Sequence, residues 1–134
     1  MSETLPRQKL LAAARAVRAR AHAPYSRFRV GAAVLDERGR IHAGCNVENA
    51  SYGLTVCAER NAIAAAVAAG ARRIVAVAVV SAGAVTPCGA CRQVIAELAT
   101  AATAVLIASP RALVSEMILG ALLPDAFTFR RRST

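Results

Sequence analysis

Cys57-Ala58-Glu59-Arg60-Asn61-Ala62-Ile63 opens a run of helix formers that ends at Gly70, and Arg73-Ile74-Val75-Ala76-Val77-Ala78-Val79-Val80 follows almost at once. Alanine-rich runs favour helix, and a glycine just past the last turn readily takes the left-handed conformation that caps it. The β-branched run after it is nearly continuous, the mark of a strand covered on both faces. A helix followed by a doubly covered strand is the working unit of an α/β fold.

The same alternation extends in both directions. Downstream, Ser81 to Pro87 is loop, Gly89 to Ala99 a helix and Thr103 to Ala108 another buried strand. Ala112 to Met117 suits an edge strand, and a short helix over Leu119 to Leu123 breaks at Pro124. Upstream, Thr4-Leu5-Pro6 starts a helix that runs to about Arg20 and stops near His22-Ala23-Pro24. Its apolar stripe is Leu10, Leu11, Ala14, Val17 and Ala21. Arg27 to Leu35 alternates with Phe28, Val30, Ala32 and Val34 on one face, Asp36-Glu37-Arg38-Gly39 turns, and Arg40 to Gly44 returns as a hairpin partner. Cys45 to Thr55 is a polar loop. Helix, hairpin, then alternating helix and strand predicts a three-layer α/β/α sandwich around a mixed, five-stranded sheet, in one domain of 134 residues.

Composition narrows the class. The chain is 56% hydrophobic and 19% charged, which excludes disorder. Ile74 to Val80, a clean apolar run, is far below the roughly 20 residues a membrane span requires. Met1-Ser2-Glu3 leads into an amphipathic segment, so no secretory signal is expected. The basic, acid-free stretch from Arg7 to Arg20 reads as the outer face of a surface helix rather than a transit peptide. A net charge of +9 raises the question of nucleic acid, but sixteen of the seventeen basic residues are arginines spread along the chain, apart from Arg130-Arg131-Arg132. Stacking aromatics are scarce, and a solvated charged surface is the better reading.

Four cysteines without a secretory signal suit a reducing, cytoplasmic setting, where metal binding outranks a disulfide. Cys57 stands at one helix start, and Pro87-Cys88-Gly89-Ala90-Cys91-Arg92-Gln93 opens another. A helix N-terminus offers free N–H groups and partial positive charge, which favour the thiolate that a metal needs. Three thiolates leave one tetrahedral position for water, the pattern of a catalytic zinc. Crossover connections can bring both helix starts to one sheet edge. Residues two apart on a regular helix do not share a face, so spacing alone leaves the position of the Glu59 carboxylate open.

Four stretches together resemble the small tetrameric cytidine deaminases: Tyr25-Ser26-Arg27-Phe28-Arg29-Val30-Gly31-Ala32-Ala33, Gly44-Cys45-Asn46-Val47-Glu48-Asn49-Ala50-Ser51-Tyr52, Cys57-Ala58-Glu59-Arg60, and Pro87 to Val94. Leu122-Leu123-Pro124-Asp125-Ala126-Phe127 also fits the C-terminal motif of that family. The resemblance implies one Zn2+ per subunit on Cys57, Cys88 and Cys91, with Glu59 as proton shuttle. It implies hydrolysis of cytidine and 2′-deoxycytidine to the uridines plus ammonia, in pyrimidine salvage. Asn46 and Glu48 would hold the ribose hydroxyls, Phe28 would pack by the base, and Ala58 backbone would read the pyrimidine edge. Ser51, Tyr52 and Phe127 match residues that complete a neighbouring pocket in a homotetramer. Arg60 and Arg92 would temper the charge of the thiolates. No membrane or nucleic-acid partner is expected.

Three rival readings compete with this one. Cys45 could close a structural four-cysteine site. The chain could deaminate a nucleoside antibiotic of the blasticidin type, against which the Asn46-Val47-Glu48-Asn49 loop argues. Or it could act on single-stranded nucleic acid, which would show as steeply salt-dependent binding.

Overall fold

The structure, a computed structural model, describes residues 4–129; Met1-Ser2-Glu3 and the Arg130-Arg131-Arg132 run fall outside the described residues. In chain order the elements are α1 (Arg7–Arg18), β1 (Val30–Asp36), β2 (Ile41–Cys45), a 3-10 turn (Tyr52–Leu54), α2 (Ala58–Ala68), β3 (Ile74–Ser81), α3 (Gly89–Leu98), β4 (Ala104–Ala108), β5 (Leu113–Ile118) and α4 (Leu119–Leu122). The five strands form one sheet in the order β2-β1-β3-β4-β5. Only β3 and β4 run parallel, joined through α3; the other neighbours are antiparallel. The expected mixed sheet and three layers are both present.

Each sheet face carries its own core. Leu10, Leu11 and Ala14 of α1 pack on Ala33, Leu35, Ala76, Ala78, Val80 and Leu106. On the other face, Ala58, Ala62, Ile63 and Ala66 of α2, Ile95 of α3 and Leu119 of α4 cover Val30, Ala32, Val34, Val77, Val79, Val105 and Ile107. Much of this contact is made by alanine, and small side chains bring helix and sheet backbones close. Two glycines carry that to its limit. A Cβ on Gly31 would lie 2.0 Å from the Ala14 carbonyl oxygen, and one on Gly44 2.3 Å from the Ala62 nitrogen. The hairpin is thus clamped between α1 on one face and α2 on the other.

Three local expectations change. All of β1 is buried, because α1 covers the small residues that the alternation placed between Val30, Ala32 and Val34. Phe28 lies before the strand rather than in it and is 39% exposed, following Arg27 at φ 61°. The first helix also starts at Arg7, with Pro6 as its N-cap, and ends at Arg18.

The turn between β1 and β2 is organised by Asp36. Its Oδ1 accepts the Arg38 and Arg40 N–H groups at 2.9 Å, and its Oδ2 accepts Arg40 Nε at 2.9 Å. His42 Nε2 lies 2.8 Å from the same Oδ2. Arg40 in turn donates to the Ala69 carbonyl at 3.1 Å, tying the hairpin to the end of α2. Burial works against the Asp36 carboxylate, but the groups of His42, Arg40 and Arg38 outweigh it and hold Asp36 well below the usual carboxylate range.

A depressed folded value stabilises the protein above the unfolded value and is lost as pH falls through the folded one. Asp36→Asn is therefore expected to cost on the order of 1–3 kcal/mol at neutral pH. The gap to the parent should narrow below about pH 4. Urea unfolding of both proteins at pH 7 and pH 3 checks this; an equal gap at both would mean that charge is not the stabilising element.

Candidate zinc and nucleoside site

Cys57 and Cys88 are the N-cap residues of α2 and α3, each extended, at φ −71° and ψ 155° and at φ −69° and ψ 169°. Cys91 lies in the first turn of α3 and is buried. The crossover from β3 through α3 sets this helix start beside that of α2. The three sulfurs all lie within 4.8 Å of one another, with Cys57 to Cys88 at 3.9 Å and Cys88 to Cys91 at 3.5 Å. Zinc–sulfur bonds of about 2.3 Å in a tetrahedron separate sulfurs by about 3.8 Å, so the cluster fits one zinc ion with a fourth position left over. None of the cysteines is in a disulfide. Cys45 is outside the cluster, half-buried on β2, with its carbonyl accepting Asn61 Nδ2 at 2.8 Å.

Glu59 is the second residue of α2 and only 5% exposed. Burial pushes its carboxyl above the usual range, and the adjacent Cys57 sulfur adds to that. Cys57 itself is held low by a hydrogen bond from Cys91, against burial, with Cys88 and Arg60 adding; Cys91 is pushed up as its partner. The face problem left by the Cys-x-Glu spacing is resolved by backbone geometry. Cys57 is extended and outside the helix, so helical periodicity does not separate it from Glu59.

The two arginines are placed differently. Arg60 donates to the Thr55 carbonyl at 3.2 Å. Burial opposes its charge, and the sulfurs of Cys57, Cys91 and Cys88 more than offset that. Arg92 directs its N–H groups to the Pro87 carbonyl at 2.7 Å, the Leu122 carbonyl at 2.7 Å and Thr86 Oγ1 at 3.1 Å. Its hydrogen bonds tie the start of α3 to the end of α4. Gln93 extends this tie by donating to the Phe127 carbonyl at 2.9 Å.

Asn46 is buried, its Oδ1 accepting Val30 N–H at 2.9 Å and its Nδ2 donating to the Phe28 carbonyl at 2.8 Å. Glu48 receives Tyr25 N–H at 2.9 Å, Ser26 N–H at 3.2 Å and the Ser26 hydroxyl. Tyr25, Ser26, Glu48, Asn49, Tyr52 and Thr55 line a cleft of about 360 Å³, in which the two tyrosine rings meet edge to face at 6.3 Å. Ala58 is fully buried at the first turn of α2, where a helix leaves backbone N–H groups without intrahelical partners. Ser51 is exposed and donates its N–H to Asn49 Oδ1 at 2.8 Å. Tyr52 and Phe127 stand out to solvent, 77% and 72% exposed. A larger apolar cleft of about 580 Å³ lies elsewhere, against Ala96, Ala99, Leu119, Leu123 and Pro124. Sequence reasoning gave Ser26 and Gln93 no role; both sit inside the quoted motifs, but their partners are distant along the chain.

Cysteine-held zinc with a carboxylate that is not a ligand, set at helix starts of an α/β/α sandwich, is the site of the zinc-dependent base deaminases. Residues 5–107 match the cytidine and deoxycytidylate deaminase zinc-binding region. The chain is 49% identical over 126 residues to the cytidine deaminase of Halalkalibacterium halodurans, covering 92% of this chain and 96% of that one. The crystal structure of cytidine deaminase from Burkholderia pseudomallei superposes with a TM-score of 0.85 at 47% identity, over 95% of this chain and 100% of that one. That of the Mycobacterium tuberculosis cytidine deaminase gives 0.81 at 43% identity, over 94% and 100%. The chain belongs to the cytidine and deoxycytidylate deaminase zinc-binding family.

The separation of Cys45 from the other sulfurs has a direct consequence. Cys45→Ser is expected to retain zinc in the purified protein, whereas Cys91→Ser should lose it, as measured by elemental analysis. Zinc lost on replacing Cys45 would restore the four-cysteine reading.

Proposed function

We propose that this protein is a hydrolase that converts cytidine and 2′-deoxycytidine to uridine and 2′-deoxyuridine with release of ammonia. The observation that carries this is the three-sulfur cluster with Glu59 buried beside it, in a chain of this family. Cys57, Cys88 and Cys91 hold one zinc ion per subunit, which when bound supplies the Lewis acidity that makes water reactive near neutral pH. Glu59 takes the proton of the attacking water and delivers one to ring N3 as C4 is attacked. It then serves the departing amino group. A single carboxyl can do both because it lies within reach of the sulfurs and is shielded from bulk water.

Phe28 packs by the base, Ala58 backbone reads the pyrimidine edge, and Asn46 and Glu48 hold the ribose hydroxyls. Arg60 and Arg92 bring positive charge to the thiolates. Residues 1–134 act as one deaminase domain, and four such subunits assemble, with Ser51, Tyr52 and Phe127 completing neighbouring pockets. The exposure of Tyr52, Phe127 and Phe129, and the apolar outer face of α2 at Ala64, Val67 and Ala68, support that assembly. The reaction suits pyrimidine salvage in the cytoplasm. No helix among the described residues is long and apolar enough to cross a membrane.

Absorbance change on mixing with cytidine tests the reading. The parent should convert cytidine to uridine, and Glu59→Gln should lower kcat by at least ~10²–10⁴-fold while keeping its zinc. A zinc-loaded parent that turns over neither cytidine nor 2′-deoxycytidine would refute it.

A further inference from the structure

Ser26 stands between the two arms of the nucleoside site. Its hydroxyl donates to Glu48 Oε2, while its own N–H and that of Tyr25 donate to Oε1 at 3.2 and 2.9 Å. The same hydroxyl oxygen accepts the Phe28 N–H at 2.9 Å. One side-chain oxygen therefore links the Glu48 carboxylate to the backbone that carries Phe28.

A carboxylate offers about four acceptor positions, and three are filled here. The Ser26 hydroxyl is also the largest cause holding Glu48 below the usual carboxylate range, against some burial. Glu48 thus remains an acceptor with one position left, and that position can take only a donor. A ribose hydroxyl is such a donor. Asn46 bonds the Phe28 carbonyl and the Val30 N–H, so the segment from Tyr25 to Val30 is fixed to the Asn46–Glu48 segment at both ends.

We propose that Ser26 is a positioning and specificity-determining residue, which orients Glu48 as a single-vacancy acceptor for one ribose hydroxyl and keeps Phe28 in step with it. This rests on the nucleoside reading given above. Ser26 touches no reacting atom, so its loss should act on binding of the sugar rather than on the chemical step.

The test is a steady-state comparison of parent, Ser26→Ala, Ser26→Thr, Glu48→Gln and the Ser26→Ala/Glu48→Gln double variant on cytidine, 2′-deoxycytidine and 3′-deoxycytidine. Ser26→Ala should raise KM for cytidine roughly ten- to a hundred-fold, with kcat near that of the parent. The penalty should shrink on whichever deoxynucleoside lacks the hydroxyl that Glu48 receives. Ser26→Thr should restore KM, and the double variant should bind no worse than Glu48→Gln alone. An equal penalty on all three nucleosides, additive effects in the double variant, or an unchanged KM would each overturn the proposal. Because each variant is compared across substrates, a general loss of stability cannot imitate the result. A parent inactive on all three nucleosides would overturn the reading beneath it; an active parent with a silent Ser26→Ala would overturn this inference alone.

Discussion

Three sulfur atoms from two helix starts, 31 residues apart at Cys57 and Cys88, have to be held within 4.8 Å of one another. As thiolates they repel. The geometry is supported because each helix begins at its cysteine, so unpaired N–H groups and partial positive charge meet at the cluster. Arg60 adds a full charge from the first turn of α2. The parallel β3–α3–β4 crossover sets one helix start, and the packing of α2 on the hairpin sets the other.

The hairpin carries much of that burden. Gly31 and Gly44 let α1 and α2 lie against β1 and β2 at distances where any side chain would collide. Asp36 closes the turn, and Arg40 passes the constraint to the last carbonyls of α2. Glu37 receives the Arg72 and Arg73 N–H groups just before β3. The far end of the hairpin thus fixes both the end of α2 and the start of the central strand, while the metal cluster lies at the other end of that helix.

The same logic governs the loop that follows β2. The polar loop from Cys45 onward does not wait for substrate to become ordered. Asn46 and Glu48 already hold the backbone from Tyr25 to Val30, so Phe28, Asn46 and Glu48 form one hydrogen-bonded unit. Preorganisation of this kind lowers the ordering cost of binding. Opposite, Arg92 and Gln93 join the start of α3 to Leu122 and Phe127, so the C-terminal aromatic is anchored to the helix that bears two of the cysteines.

Most elements, and the three cysteines that the fold brings into one cluster, were legible in the residues themselves. The β-branched run at Ile74 to Val80, the glycine after α2 and the cysteines at helix starts are short-range signals, and short-range chemistry decides where helices and strands begin and end. The roles proposed for Phe28, Asn46 and Glu48 came only through resemblance, since a polar loop has no period to read. Tertiary structure alone decided the rest. It buried both faces of β1 by bringing Gly31 against α1, and set Phe28 outside the strand. It drew the guanidinium of Arg92 toward Leu122, and joined Ser26 to Glu48. Above all it brought the start of α3, with Cys88 and Cys91, against Cys57 and Glu59 at the start of α2. Each of these depends on contacts between segments distant in sequence, and no local preference encodes where such segments meet.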